Sequence, residues 1–193
     1  MTEIQSLKIT NVGTLPLTLA EAKAHLRVLH TDDDAQISAL IAAAVDEFEQ
    51  RTGRAFSAIT AQLRLNQFPE YEIAIPRPPL QAVSSITYTT AAGVVTLAAE
   101  AYSVDATHSP GLITPTNGWP AAIDRPGSIV VSFTGGNPAG CSARIKNALL
   151  LWLDLHYHEQ KEDTARRMTE RIDGILSDRS IHYPALAGLT VQD

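Results

Sequence analysis

The hydrophobic period of the chain changes twice, and that change limits the fold more than any single motif. Apolar residues recur at helical spacing from Leu19 to Phe48, alternate from Ala61 to Phe133, and return to helical spacing from Ile145. The turn residues follow the same division. Nine of the 11 prolines and seven of the 11 glycines fall between residues 54 and 140, a stretch also rich in Thr, Val and Ile. Proline and glycine punctuate turns, and β-branched side chains suit a pleated surface. The chain therefore reads as an α+β fold, a helical bundle of about four helices with an inserted antiparallel β-rich block. The expected divisions are 14–57 and 140–177 for the helical core, 58–139 for the β insertion, and 178–193 for an extended C-terminal tail.

Local signals place the helices. Thr18-Leu19-Ala20-Glu21 is a capping-box pattern, and Leu19, Ala22, Leu26 and Leu29 continue it on one face, with His30 and Thr31 as the stop. Asp32, Asp33 and Asp34 open a second helix, where negative charge complements the dipole. Its stripe is Ile37, Leu40, Ile41, Ala44, Val45 and Phe48, and Gly53 is placed to end it left-handed. A third helix is expected from about Ser142 to His158, with Ile145, Ala148, Leu149, Trp152 and Leu153 on one side. Leu150, Leu151 and Leu155 make it apolar almost all round, as in a helix buried in a core or between subunits. Glu159 to Asp163 reads as a solvated stretch. Ala165 to Leu176 reads as a fourth helix, with Met168, Ile172, Ile175 and Leu176 aligned. From Ser177 onward no helical period remains, although Tyr183, Pro184, Leu186 and Leu189 make the tail more apolar than solvation requires.

In the middle block, Leu63, Leu65 and Gln67 alternate with Gln62, Arg64 and Asn66, and Tyr71 to Ile75 alternates again. Val83 to Thr89 and Val94 to Leu97 flank Ala91-Ala92-Gly93, a hairpin signal. Tyr102 to Asp105, Leu112 to Thr114 and Ser128 to Phe133 add short strands, with loops at Thr116 to Pro120 and Asp124 to Gly127. The expectation is about five to seven antiparallel strands in a small sheet or open barrel.

Composition bounds the function classes. With 45% apolar and 19% charged residues, the chain has material for a core and is not of disordered type. No apolar run, Ala148 to Leu153 included, is long enough to span a bilayer, and Met1 to Ile9 lacks a signal-peptide core. Cys141 is the single cysteine, which excludes an internal disulfide and fits a reducing compartment. Fifteen basic residues stand against 21 acidic ones, a net of −6, and −4 of it lies in residues 1–53. A dedicated nucleic-acid binder would show a basic stripe instead.

Chemistry-bearing patterns are weak. Thr134-Gly135-Gly136-Asn137 lacks the lysine and spacing of a phosphate loop and reads as a turn. His156 and His158 do not share a helix face, while Asp154 and His158 at i,i+4 suit a surface ion pair better than a metal. Asp32 to Asp34 is read as a dipole device, and no calcium-loop pattern occurs. Cys141 precedes a helix start but has no local base, and no nucleophile elbow or zinc-protease helix occurs. Trp119 is read as covering the sheet core, with a stacking platform as the alternative. Arg166, Arg167 and Arg171 suit a solvated helix face or an acidic partner. No catalytic residue, metal ligand or cofactor emerges.

Several segments together carry a resemblance. Leu17-Thr18-Leu19-Ala20-Glu21-Ala22-Lys23-Ala24-His25-Leu26-Arg27-Val28 with Asp32 to Asp34 resembles the N-terminus of phage head–tail connector (adaptor) proteins. Ile37 to Val45 leading into Arg51-Thr52-Gly53-Arg54-Ala55 is similar to their next helix. Ile75-Pro76-Arg77-Pro78-Pro79-Leu80 through Tyr88 looks like the strand–Pro–strand unit of the longer members, which carry a β insertion. Trp119-Pro120, Ser128 to Gly135, and Ile145 to Leu151 with Tyr157 follow in the same order. The resemblance covers about residues 14 to 160 and departs after Tyr157, where the chain reads His158-Glu159-Gln160-Lys161-Glu162.

The resemblance implies a virion structural protein without catalysis or cofactor, made in the host cytoplasm and built into the neck of a tailed phage or phage-derived particle. Such adaptors form a homo-oligomeric ring, commonly of about twelve copies, by head-to-tail contacts that close under rotation. The implied partners are the portal protein above, a stopper, tail terminator or other neck protein below, and double-stranded DNA passing without sequence-specific binding, with no membrane. The residues expected at subunit or portal interfaces are Leu150, Leu151, Leu155, Arg166, Arg167, Arg171, Tyr183, Leu186 and Leu189. The rival readings are another neck or tail-completion protein such as a stopper, a free-standing β-type ligand-binding module using Trp119, and a small hydrolase built on Asp154, His156 and Cys141.

Overall fold

The computed structural model describes residues 4–137, 141–158, 162–177 and 190–192, in two compact units. One unit is built from residues of Thr14–Ser57 and Pro138–Ile181, the other from Met1–Gly13, Ala58–Asn137 and His182–Asp193.

The first unit is helical. Helix α1 spans Leu19–Leu26 and opens on the expected capping box. The Thr18 hydroxyl accepts from the Glu21 N–H at 3.2 Å, and the Thr18 N–H donates to Glu21 Oε2 at 2.9 Å. The helix ends earlier than its apolar spacing suggests. Arg27 takes a left-handed φ of 58°, and the Val28 N–H donates to the Lys23 carbonyl at 3.0 Å. Val28 is buried in consequence, whereas Leu29, expected on the apolar face, is 97% exposed. Helix α2, Asp34–Thr52, buries Ile37, Ile41, Ala44, Val45 and Phe48 and stops at Gly53, whose φ is 67°. Helix α3, Ala143–Tyr157, is capped by Ser142 and buries Ile145, Ala148, Leu149, Trp152 and Leu153. Helix α4, Glu162–Ser177, adds Ile172, Ile175 and Leu176. These side chains form one cluster, and α3 packs against all three other helices.

Among the described residues the second unit holds nine strands in two sheets, and seven of them lie within residues 58–139, in line with the five to seven expected of that block. The strands are β1 Ile4–Val12, β2 Ile59–Leu65, β3 Ile73–Ile75, β4 Leu80–Thr90, β5 Gly93–Thr96, β6 Tyr102–Asp105, β7 Gly111–Pro115, β8 Ile129–Gly135 and β9 Thr190–Gln192. Six of them form a sheet in the order β5-β4-β8-β2-β1-β9, and β3-β7-β6 form another. Every neighbouring pair is antiparallel except β1 with β9, which is parallel. The other two strands, β1 and β9, come from the two ends of the sequence. In β1, irregularities between Ile4 and Ser6 and between Ile9 and Asn11 break the strict two-residue period that identifies a strand. The central strands keep that period: Ile59, Ala61, Leu63 and Leu65 of β2 and Ile129, Val131 and Phe133 of β8 are buried. Gln67 lies beyond the end of β2 and is exposed, so it does not continue the stripe. Of Thr134 to Asn137, read from sequence as a turn, Thr134 and Gly135 instead end β8, and the chain bends at Gly136.

Two predictions follow from this packing. A Cβ added at Gly111 would lie 2.5 Å from Leu80 Cβ, between the two sheets. Gly111→Ala should therefore cost about 1–3 kcal/mol as overpacking, read from the urea midpoint. In the helical unit, Lys146 Nζ donates to Glu21 Oε1 at 2.6 Å, joining α3 to α1. That bond and the Thr18 donors lower the Glu21 pKa from 4.5 to about 2. Because the folded-state value is depressed, the stabilisation is present above pH 4.5 and is lost as pH falls towards about 2. Thermal melts between pH 6 and about pH 2.5 should show Glu21→Gln less stable than the parent at the upper end, with the gap closing at the lower end.

Candidate assembly surfaces

The helical unit presents two surfaces that the sequence singled out. On α3, Leu150 and Leu151 are half-buried and pack against the edge of the helical cluster, and Leu155 is also half-buried. Part of the apolar surplus on α3 is thus taken up within the chain. On α4, Arg166, Arg167 and Arg171 are exposed, opposite the buried Ile172, Ile175 and Leu176. Arg166 reaches Asp163 at 3.4 Å, a solvated pair of small energetic weight. Arg51 of α2 bonds both Asp173 of α4 and, at 3.5 Å, Glu47 of its own helix. Tyr183, Leu186 and Leu189 lie outside the described residues.

The acidic run opening α2 does more than face the helix dipole. Asp34 pairs with Lys23 of α1, and Asp33 accepts a hydrogen bond from the Tyr157 hydroxyl at 2.5 Å. The Asp33 carboxylate pushes the Tyr157 pKa above its ordinary value. His30 Nε2 stands 3.7 Å from the same carboxylate. The run therefore ties α1, α2 and the end of α3 together. Tyr157 and Asp33 are 124 positions apart, so no local pattern announces their contact.

The residues of the hydrolase reading do not converge. Cys141 and His156 sit at opposite ends of α3, about 20 Å apart along its axis. Burial pushes the Cys141 thiol pKa up, away from the reactive thiolate. His156 stacks on the Trp152 indole, with centroids 3.6 Å apart, and its Nδ1 meets the Trp152 carbonyl at 2.7 Å. Trp152 Nε1 donates to Glu47 Oε2 at 3.0 Å. Asp154 instead partners His158 at 2.8 Å, the i,i+4 pair read from the sequence. Among the described residues, no group of three or more His, Cys, Asp or Glu is placed to hold a metal, and no helix is long and apolar enough to cross a membrane.

In the β unit, Trp119 stacks on Phe68 at 4.8 Å with the rings nearly parallel, and Tyr88 meets Phe68 edge-on at 5.8 Å. The Trp119 N–H donates to the Tyr71 carbonyl at 3.0 Å. One indole face and the only indole donor are thereby used within the unit. An open cleft of about 320 Å³ beside it is lined by Gln67, Phe68, Pro69, Glu70, Trp119, Pro120 and Ala122. The feature that the sequence reading passed over is the outer edge of β5, where Val94 is 71% and Val95 39% exposed. Its signal was present: a short run of β-branched residues with no charge.

Comparison with known proteins places these surfaces in context. The chain resembles a protein in the structure described as the neck of an empty GTA particle computed with C6 symmetry, at 21% identity and a TM-score of 0.74, covering 96% of this chain and 100% of that one. It also resembles a chain of the virion of the native gene transfer agent (GTA) particle, at 20% identity and a TM-score of 0.69, covering 91% and 96%. A third similar chain belongs to the neck of the native GTA particle computed with C12 symmetry, at 20% identity and a TM-score of 0.66, covering 94% and 99%. At such identities the likeness is one of fold, and it extends over both units. No curated protein matches by sequence. The family model described as phage gp6-like head-tail connector protein matches residues 16–107, which run from α1 through β6. Over residues 16–107 the chain is therefore similar to the phage gp6-like head–tail connector family.

Proposed function

We propose that this protein is a structural head–tail adaptor, a neck component that assembles as a ring beneath the portal of a tailed phage or phage-derived particle. The observation that carries this reading is the coincidence of two matches. The connector family covers residues 16–107, and the whole two-unit fold is shared with chains of GTA neck and virion structures. The four-helix unit speaks for an adaptor over a stopper, which would be expected to be mostly β. The ring would contain twelve copies, matching the C12 symmetry used for one similar neck; a twelvefold ring also satisfies the C6 symmetry used for another.

In this reading the protein works by binding and shape. Portal contacts would come from the half-buried Leu150, Leu151 and Leu155, the exposed Arg166, Arg167 and Arg171, and the tail residues Tyr183, Leu186 and Leu189. The tail-side partner would be a stopper, tail terminator or other neck protein. The first 53 residues, with a net charge of −4, would line or flank the channel. Like charge keeps DNA from sticking there, because phosphate contacts are what create affinity.

Electron microscopy of the purified chain, alone and mixed with portal rings, tests the assignment. Symmetric rings that stack on the portal are the expected result, and monomers that ignore portal reject it. Reversing Arg166, Arg167 and Arg171 together to Glu alters only exposed positions, so the fold should persist. Portal affinity should fall by about tenfold or more in a sedimentation assay, and unchanged affinity removes these arginines from the interface.

A further inference from the structure

The six-stranded sheet has two different free edges, and their chemistry is complementary. At one end lies β5, Gly93-Val94-Val95-Thr96, paired on its inner side with Thr87 to Thr90 of β4. The Leu97 N–H donates to the Ile86 carbonyl at 2.8 Å, which fixes the phase of the ladder. Hydrogen-bonded pairs alternate in an antiparallel ladder, so Val95 with Tyr88 and Gly93 with Thr90 are bonded pairs. Val94 and Thr96 then direct their N–H and C=O groups outward. All four residues of β5 are exposed. Apart from its four-residue length, the strand lacks the devices that blunt an edge: it has no lysine, no proline and no bulge.

At the other end, β9 covers β1 only from Ser6 to Lys8. No strand among the described residues lies outside Ile9 to Val12, a stretch as long as β5, and Val12 is 52% exposed. The successive pairs β5-β4, β4-β8, β8-β2 and β2-β1 are all antiparallel, so β5 and β1 run in the same direction. Rotation about a ring axis preserves that direction from one copy to the next. The edges therefore suit a parallel pairing that is heterologous, the contact type a ring requires.

We propose that β5 of one copy adds to the Ile9–Val12 stretch of β1 in the next copy, so that the sheet continues across subunit boundaries around the ring. The partner of this edge is a second copy of the same chain, and the contact rests on the ring reading given above. Backbone pairing supplies the attraction. The open edges with their exposed valines supply the fit.

The test uses the full chain on a Cys141→Ser background, with Val12→Cys and Val94→Cys, both at exposed positions. In assembled protein, a flexible bismaleimide should turn the double variant into a ladder of covalent multimers on a denaturing gel, while each single variant stays a monomer. Thr96→Pro removes an N–H that the folded monomer does not use, so circular dichroism should be unchanged and most rings lost. Val94→Lys repeats the test without altering the backbone. Wild-type rings whose double-cysteine form gives no ladder, and which survive both edge variants, overturn the β5–β1 contact and leave the ring reading standing. A wild-type chain that stays monomeric with and without portal rings overturns the ring reading and the contact together.

Discussion

The burial of α3 is the constraint on which the helical unit depends. Ile145, Ala148, Leu149 and Leu153 are at most 2% exposed, and α1, α2 and α4 all pack against the helix that carries them. Separately, helices of 8 to 19 residues would be marginal in water, since most helical stability in proteins comes from tertiary packing of an apolar face. Polar ties then fix the arrangement that hydrophobic contact leaves loose. Glu21 with Lys146, Asp33 with Tyr157, and Glu47 with Trp152 each join α3 to an element that precedes the β insertion in sequence. The β block can therefore be long and complex without weakening the bundle, because the helices on either side of it are clamped to one another.

Legibility from sequence followed the range of each interaction. The capping box at Thr18, the stop at Gly53 and the hairpin at Gly93 are local, and each appears in the structure where the residues placed it. The α1 stop was misread because period alone cannot reveal a left-handed Arg27, which takes Leu29 off the apolar face. Strand β1 escaped because two irregularities spread its apolar residues to Ile4, Leu7, Ile9 and Val12. With three residues, β9 has no pattern to read and is defined only by its partner. The Asp33–Tyr157 bond spans most of the chain and had no signal at all. The surface arginines of α4 were legible as residues, since an amphipathic period exposes them, whereas the use of their face is a property of a partner.

A protein that works by assembly leaves little of the chemistry by which enzymes are recognised. Here the candidates for such chemistry are occupied with structure. His156 is stacked on Trp152, Asp154 is paired with His158, and Cys141 is half-buried beside a helix start. Trp119 uses one face and its N–H inside its own unit. What is left over is surface, and the surface differs between the units. The helical unit offers charge and partly covered leucines, which suits contacts that must be specific for a foreign partner. The β unit offers strand edges, which suit contacts between identical copies.

The two edges of the large sheet also differ in how they are protected, and the difference is informative. The β1 edge is partly closed by β9, and Lys8, where that cover ends, is exposed. Both are devices that discourage unplanned pairing. The β5 edge has no such protection, although Val94 and Val95 make it the more adhesive of the two. In a monomer with no partner this would be a liability for aggregation. In the proposed ring, where copies stand side by side, one open edge and one half-covered edge would give assembly a direction. In the proposed contact the open edge would meet the four-residue stretch Ile9 to Val12, where the cover from β9 over Ser6 to Lys8 has ended. A sheet with two equally bare edges would have no such preference for register, and register is what a closed ring needs most.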